Sequence, residues 1–236
     1  MLEEVRREVY EANMELQRRG LVLYTWGNAS QIDREKGLVV IKPSGVPYEE
    51  LSPANMVIVD LEGNVVEGFL RPSVDTPTHL FLYKHFPTIG GVVHTHSPWA
   101  TAWAQAQKDI PCLGGTHSDY FFGNIPCTRP LTPEEACNLE ENTGKVIVEA
   151  FAGKSYEQIP GVLVASHGPF TWGKDAKQAV FYSVVLEEIA RLAFITLQLN
   201  PLQRSLSQEE LTKRYLRKHG KDAYYGQAER SSSGEN

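Results

Sequence analysis

Two histidines separated by one residue, His94 and His96, are the side chains in this sequence best suited to metal chemistry. They follow an apolar run at residues 89–93 that is typical of a β-strand. Because alternate side chains of a strand point to the same face, the two imidazoles are predicted to converge on one point. Such a pair can bind a divalent transition metal that takes further ligands from elsewhere in the chain. Two buried core histidines are an equally good interpretation of this spacing alone.

Further ligands would have to come from distant parts of the chain. His167, in the run Ser-His-Gly-Pro at residues 166–169, is one candidate, and Asp75 is the acidic candidate. Asp75 stands just before Pro77, which is tolerated in the first turn of a helix. Its local sequence therefore favours a helix-capping carboxylate, with an oxygen ligand for a metal as the alternative. His79 and His85, on the helix predicted after Asp75, are expected to be partly exposed helix residues. His117 and His219 lack a histidine at ligand spacing and are expected to have ordinary structural roles.

Three polar turns could bind an anion. They are residues 26–28, with Gly27 and Asn28, residues 43–45, with Ser44 and Gly45, and the segment around Ser73. Ordinary turn chemistry explains each of them without any ligand. Together they could also present backbone N–H groups and hydroxyls to a phosphate group. Lys42, beside the second turn, would then supply a positive charge.

Hydrophobic periodicity predicts the elements that must position these residues. Helices are predicted at residues 2–19, 77–86, 97–107, 132–151, 176–199 and 207–218. Short β-branched runs predict strands at residues 38–41, 56–59, 65–66, 89–94 and 162–165. Strands and helices do not alternate regularly, so a mixed or antiparallel sheet layered with helices is favoured over a doubly wound one.

Composition narrows the class of protein. The 236 residues carry a net charge of −6, which argues against a general nucleic-acid-binding protein. No apolar run is long enough to span a membrane, and the first residues do not form a secretory signal. Three widely spaced cysteines are typical of a reducing compartment. A cytoplasmic protein without nucleic-acid or membrane partners is therefore expected.

Nine segments, taken in order, carry a resemblance to a known family. They are YTWGNAS (24–30), VIKPSGV (40–46), RPSVDTPTH (71–79), GGVVHTHS (90–97), THSDYFFG (116–123), IPCTR (125–129), VASHGPF (164–170), LRKHG (216–220) and AYYGQ (223–227). With this set the sequence resembles the class II aldolase and adducin family, and within it the L-ribulose-5-phosphate 4-epimerases, from about residue 1 to residue 227.

The resemblance implies an α/β, single-domain class II aldolase-like fold at residues 1–229, with a central, mostly antiparallel sheet layered with helices. Residues 230–236, rich in serine, are expected to form a disordered tail. The family resemblance also implies a divalent ion, Zn²⁺ or another transition metal such as Mn²⁺ or Co²⁺, bound by Asp75, His94, His96 and His167. It implies substrate contacts from Gly27, Asn28, Ser44, Gly45, Ser73 and Val74. Asp119 and Tyr225 match the positions of the proton donor and acceptor.

The activity implied is inversion of a sugar phosphate at C4 by retro-aldol cleavage and re-addition, in a homotetramer with sites between subunits. Substrate must then either expand the metal coordination or displace Asp75. A class II sugar-phosphate aldolase that releases the fragments is the nearest alternative, and a non-catalytic scaffold on the same fold is another. The sequence departs from the epimerase pattern at Val74, where a serine is usual, and at Gly115, where a threonine is usual.

Overall fold

The computed structural model describes residues 1–221 and 223. These residues form a seven-stranded sheet in which every neighbouring pair of strands is antiparallel. The strands are β1 (Asn28–Asp33), β2 (Leu38–Ile41), β3 (Val57–Asp60), β4 (Val65–Glu67), β5 (Gly91–His94), β6 (Gly161–Leu163) and β7 (Pro169–Gly173). Their order across the sheet is β4-β3-β2-β1-β5-β7-β6. The predicted antiparallel sheet is confirmed, and β1 and β5 lie side by side near its centre.

Seven α-helices in the described residues surround the sheet. They are α1 (Glu3–Arg18), α2 (Thr76–His85), α3 (Pro98–Gln105), α4 (Gly115–Ser118), α5 (Leu139–Ala150), α6 (Ala176–Leu199) and α7 (Gln208–His219). Gly20 follows α1 with a φ of 68°, the left-handed conformation that commonly ends a helix. No helix in the described part of the chain has the length and apolar character that crossing a membrane requires.

Both faces of the sheet are buried, because alternate strand residues belong to two different apolar clusters. Val39 and Ile41 of β2 pack with α2, α3, α5 and the second half of α6, whereas Val40 between them packs with α1 and the start of α6. Burial of side chains on both faces explains why the central strands are continuous apolar runs in the sequence. Helices on the two faces therefore hold the central strands, and the segments that follow them, in place.

The sequence prediction missed β1 and β7. β1 has the sequence NASQID, whose polar residues resemble a turn, yet Asn28 and Ser30 are buried and hydrogen-bonded inside the protein. β7 begins with Pro169 and ends with Gly173, residues that propensity places in turns. The predicted helix at 132–151 was too long, because residues 135–138 form a 3-10 turn and α5 begins only at Leu139. Tertiary pairing overrides local propensity in these strands.

Candidate metal centre and substrate cleft

Three imidazoles meet at the end of the central strands. His94 is the last residue of β5, His96 follows two residues later, and His167 lies in the turn between β6 and β7. One ring nitrogen from each lies within 4.8 Å of the others. The ring centroids are 4.8 Å apart for His94 and His96 and 4.6 Å apart for His94 and His167. The convergence predicted for the first pair is therefore present, and the third histidine joins it.

His94 has the environment of a metal ligand. Its Nδ1 lies 3.0 Å from the carbonyl oxygen of Pro169, to which only a protonated Nδ1 can donate. That hydrogen bond leaves the lone pair on Nε2, which is buried and has no hydrogen-bond partner among the described residues. A carbonyl that fixes the tautomer of a ligating histidine is a recurrent feature of metal sites. The unpartnered Nε2 fits a bound cation.

A tight turn brings His167 to this point. The His167 N–H donates to the Val164 carbonyl, and Ser166 has a φ of 61°, a conformation that costs free energy in any residue other than glycine. Gly168 passes so close to β5 that a Cβ there would lie 2.7 Å from the Thr95 carbonyl oxygen. The strained turn is thus held against the strand that carries His94.

Burial keeps the imidazoles neutral, which is the form that binds a metal. The pKa values of His94, His96 and His167 are all lowered, in each case mainly by burial. Burial alone would raise the pKa of the Asp75 carboxyl, but the positive charge that His94 and His79 carry when protonated and a hydrogen bond from Asn28 outweigh it. The pKa of Asp75 therefore lies below its usual value, and the site combines neutral imidazoles with a carboxylate.

Asp75 occupies the N-cap position of α2, as its local sequence predicts, but its side chain makes no capping hydrogen bond. Its Oδ2 instead accepts a hydrogen bond of 2.7 Å from the Asn28 side chain, which also donates to Ser73 Oγ at 2.9 Å. The Asp75 carboxylate is not part of the group of three histidines. Asn28 thus connects a predicted substrate contact, Ser73, to a predicted metal ligand, Asp75.

The polar turns lie beside the three histidines. Pro43 pairs with Pro72, and the Ser44 N–H donates to the Arg71 carbonyl, so the segments at 42–45 and 71–74 run side by side. Gly27 has a φ of 73°, and a Cβ at this position would lie 2.9 Å from the His94 carbonyl oxygen. Only glycine allows the first turn to approach β5 this closely. Glycine is therefore required at position 27 both for the turn and for its close packing against His94.

All six predicted substrate-binding residues and all four predicted metal ligands line one cleft of about 510 Å³. This volume suits a small molecule. Trp26, in the first polar turn, was not among the predicted site residues, yet its half-exposed ring also lines the cleft, with its centroid 6.2 Å from that of the His96 ring. An aromatic residue before a turn carries no distinguishing signal in a single sequence.

Lys42 is a buried cation beneath the cleft. It is 2% exposed, and its ammonium donates to the carbonyls of Thr25, Pro43 and Val46 at 3.1–3.4 Å. Burial lowers the pKa of Lys42 to about 8. At neutral pH it carries a positive charge that contacts the backbone of the first two polar turns, which favours an anionic ligand.

Lys42 is expected to make stability rise with pH. Between pH 8 and 10.5 the folded protein has lost the Lys42 proton while the unfolded chain retains it, so the free energy of unfolding increases. The contribution is at most about 3 kcal/mol. Urea unfolding at pH 7.5, 9 and 10 should reveal this rise as a difference between wild type and Lys42→Met, because other titrating groups are common to both. Lys177→Met, at an exposed lysine, should behave as wild type. Identical pH dependence in Lys42→Met would contradict the expectation.

The predicted acid–base residues do not complete this cleft within the described chain. Asp119 follows α4 and does not line the cleft. Its carbonyl accepts a hydrogen bond from His219 at 2.8 Å, and its carboxylate lies 3.9 Å from the Arg217 guanidinium, both in α7. Tyr225 and the predicted tail at 230–236 lie outside the described residues.

The prediction that His79 is partly exposed was wrong. His79 is fully buried, because Asp75, His79 and Tyr83 face β1 at intervals of one helical turn. His85, on the other side of α2, is exposed as predicted.

Comparison with known sequences identifies the family. Residues 7–194 match the sequence profile described as Class II Aldolase and Adducin N-terminal domain. The chain belongs to this family. This class II aldolase family member is 56% identical over 227 residues to the L-ribulose-5-phosphate 4-epimerase UlaF of Salmonella paratyphi B, an alignment that covers 96% of this chain and 100% of that protein.

Two solved structures of L-fuculose-1-phosphate aldolases have similar folds. The chain resembles an L-fuculose 1-phosphate aldolase with a TM-score of 0.76 and 26% identity, over 89% of this chain and 94% of that one. It resembles the L-fuculose-1-phosphate aldolase from Thermus thermophilus with a TM-score of 0.66 and 25% identity, over 84% and 99% of the two chains. Both likenesses support the family assignment and the single-domain fold.

Proposed function

We propose that this chain is an L-ribulose-5-phosphate 4-epimerase, which interconverts L-ribulose 5-phosphate and D-xylulose 5-phosphate. The observation that carries the proposal is the unpartnered Nε2 of His94, which lies among three converging imidazoles in a cleft that is also lined by polar turns. Identity of 56% to a 4-epimerase over nearly the whole chain supports this substrate over other sugar phosphates.

The chemistry of the substrate requires carbon–carbon cleavage. The C4 hydrogen is not next to the C2 carbonyl, so its removal would leave a carbanion without stabilisation. The C4 hydroxyl is β to that carbonyl, so loss of its proton can break the C3–C4 bond and move the electron pair toward C2. The products are an enediolate and glycolaldehyde phosphate. Re-addition to the other face of the aldehyde inverts C4.

The polar turns hold the phosphate during this cleavage. Ser44 and Ser73 contribute hydroxyls, Gly45 and Val74 contribute backbone N–H groups, and Lys42 contributes its charge. Val74 cannot supply the hydroxyl that a serine would, but its backbone donor is retained. Retention of the phosphate keeps the aldehyde fragment in the cleft, which an epimerase needs and an aldolase does not.

Asp119 and Tyr225 are proposed to move the proton at the C4 oxygen, one for each face of the aldehyde. General acid–base catalysis of this kind contributes about 10²–10⁴-fold. Since Asp119 does not line the cleft of its own chain, we propose that it acts in the cleft of a neighbouring subunit. This arrangement requires an oligomer, and we propose a homotetramer. The apolar side chains exposed on α6, including Phe194 and Leu199, support this proposal, because contact with a neighbouring subunit would bury them.

His94, His96 and His167, with Asp75, are proposed to bind a divalent ion. When bound, the ion supplies Lewis acidity, which takes up the negative charge that develops on the substrate oxygens during cleavage. Imidazole and carboxylate ligands suit Zn²⁺, Mn²⁺ and Co²⁺, and we propose Zn²⁺ or one of these close substitutes. We further propose that residues 1–229 form the catalytic domain and that the protein is cytoplasmic, in keeping with its three free cysteines.

Product analysis tests the proposed reaction. L-ribulose 5-phosphate is incubated with the purified protein, before and after treatment with a chelator, and both D-xylulose 5-phosphate and free glycolaldehyde phosphate are assayed. We expect D-xylulose 5-phosphate with little free aldehyde, and loss of the reaction after chelation. Stoichiometric release of glycolaldehyde phosphate would identify an aldolase instead. Absence of both products from metal-loaded protein would favour a scaffold.

A further inference from the structure

A buried polar seam lies directly behind the Asp75 carboxylate. Asp75, His79 and Tyr83 are spaced four residues apart at the start of α2 and along it, so they lie on one face of the helix. Asn28 and Ser30 are two residues apart on β1, so they lie on one face of the strand. The two faces meet, since Asn28 donates to Asp75 and Ser30 bonds to His79.

His79 is at the centre of this seam and has one ring nitrogen without a partner. Its Nδ1 lies 2.7 Å from Ser30 Oγ, which in turn lies 2.8 Å from the Tyr83 hydroxyl. His79 Nε2 is fully buried and makes no hydrogen bond to any residue that the structure describes. Burial lowers the pKa of His79 to about 4, so the ring is neutral and carries one N–H proton. The function of the seam depends on which nitrogen carries that proton.

Hydrogen-bond counting places the proton on Nε2. With Nε2 protonated, Tyr83 donates to Ser30 and Ser30 donates to Nδ1, which leaves only the Nε2–H without a partner. With Nδ1 protonated the chain reverses, and both Nε2 and the Tyr83 hydroxyl proton are unsatisfied among the described residues. An unsatisfied buried polar group costs about 1–3 kcal/mol, so the first arrangement is favoured. Negative charge on Asp75, which interacts with His79, favours it too.

Asp75 has the complementary vacancy in hydrogen bonding. Its Oδ2 accepts from Asn28, while its Oδ1 accepts no hydrogen bond from the described residues. The carboxylate also stands outside the group formed by His94, His96 and His167. A donor without an acceptor and an acceptor without a donor therefore belong to residues one helical turn apart.

We propose that His79 is a positioning residue whose Nε2–H receives the Asp75 carboxylate when that carboxylate turns away from the three histidines. This inference rests on the proposed metal-dependent function. It favours displacement of Asp75 by the substrate over expansion of the metal coordination. A carboxylate that has a second hydrogen-bond donor can leave the metal without becoming an unpaired charge. Ser30 and Tyr83 keep the proton of His79 on the nitrogen that this exchange needs.

His79→Phe tests the proposal, because phenylalanine keeps the aromatic contact with Phe170 and removes the donor. Without its alternative partner, Asp75 should favour the metal, so zinc affinity in chelator competition should rise about tenfold. The KM for L-ribulose 5-phosphate should rise by a similar factor, about tenfold, because the carboxylate leaves less readily. His79→Gln, which retains an N–H donor, should restore both values toward wild type. The matched control is His85→Phe, at the exposed histidine of α2, which should change neither.

Two results would overturn the proposed role of His79. A residue of purely structural importance would lower both the stability of the metal-free protein and its zinc affinity, and that result in His79→Phe would overturn the proposal. Wild-type values in every His79 variant would also overturn it. If His79→Phe does not fold, Ser30→Ala carries the test: zinc affinity should rise about threefold, because His79 loses the partner that fixes its tautomer.

Nitrogen NMR of the histidine rings measures directly which nitrogen of His79 carries the proton, and this measurement does not depend on activity. The wild-type spectrum should assign the His79 proton to Nε2, and Ser30→Ala should weaken that preference. A proton found on Nδ1 in wild type would overturn the proposal. Wild-type protein that binds no zinc would instead refute the metal centre itself, and this inference with it.

Discussion

The His96→Asn variant is expected to lose about 10³-fold in turnover number, because Lewis-acid stabilisation worth several kcal/mol disappears with the metal. His96 is partly buried but is the most exposed of the three histidines, and it makes no side-chain hydrogen bond in the described residues, so its replacement leaves the fold intact. Elemental analysis should find less than one metal ion per chain. The melting temperature of the metal-free protein should stay within about 2 °C of wild type.

His85→Asn provides the control for His96→Asn, since His85 is also exposed but lies on α2 away from the cleft. It should retain wild-type metal content and turnover. A His96→Asn protein that kept both its metal and its full turnover would refute the proposed centre. Loss of turnover with a full complement of metal would show that His96 acts on substrate rather than as a ligand.

Asp119→Asn is expected to lower the turnover number by about 10²–10⁴-fold, the usual contribution of a positioned acid or base. Asparagine has nearly the same shape as aspartate but does not exchange a proton. Because Asp119 does not line the cleft of its own chain, metal content should remain at the wild-type level. KM should change little, since phosphate binding depends on other residues. Steady-state kinetics and elemental analysis measure these quantities.

A mixing experiment places Asp119 in the assembly. Asp119→Asn and His96→Asn subunits are unfolded together and refolded at equal concentration, so that hybrid oligomers form. If each site combines a metal centre from one subunit with Asp119 from its neighbour, about a quarter of the sites contain no substitution. Activity should then return to about a quarter of the wild-type level. Hybrids no more active than the separate variants would mean that Asp119 does not act across an interface.

Much of the fold and of the site was predictable from local chemistry. The His94 and His96 pair was found because strand alternation is a property of the backbone itself, whatever surrounds it. The helix at 176–199 was found because its length and periodicity leave little choice. The six residues predicted to bind substrate were chosen from turns and a family resemblance, and they line one cleft with the three histidines.

Other features depended on contacts between distant segments. β1 was not recognised because Asn28 and Ser30 are polar, and only their hydrogen-bond partners Asp75 and His79 make them suitable for a buried strand. His79 was expected at the surface because a histidine on a helix is usually solvated, yet the seam with Ser30 buries it completely. Nothing in the local sequence of Ser30 or His79 predicts their burial, since a hydrogen bond between residues 49 positions apart leaves no periodic pattern.

The sequence by itself therefore determined which side chains can do chemistry and which short segments carry them, because these follow from residue type and backbone periodicity. The tertiary structure alone decided how they combine. It brought His167 next to His94 and His96 through a strained turn, paired the Asp75 carboxylate with Asn28 instead of with the N-terminus of α2, and placed Asp119 outside the cleft of its own chain. Each of these outcomes depends on packing between segments far apart in the chain, and no local pattern encodes such packing.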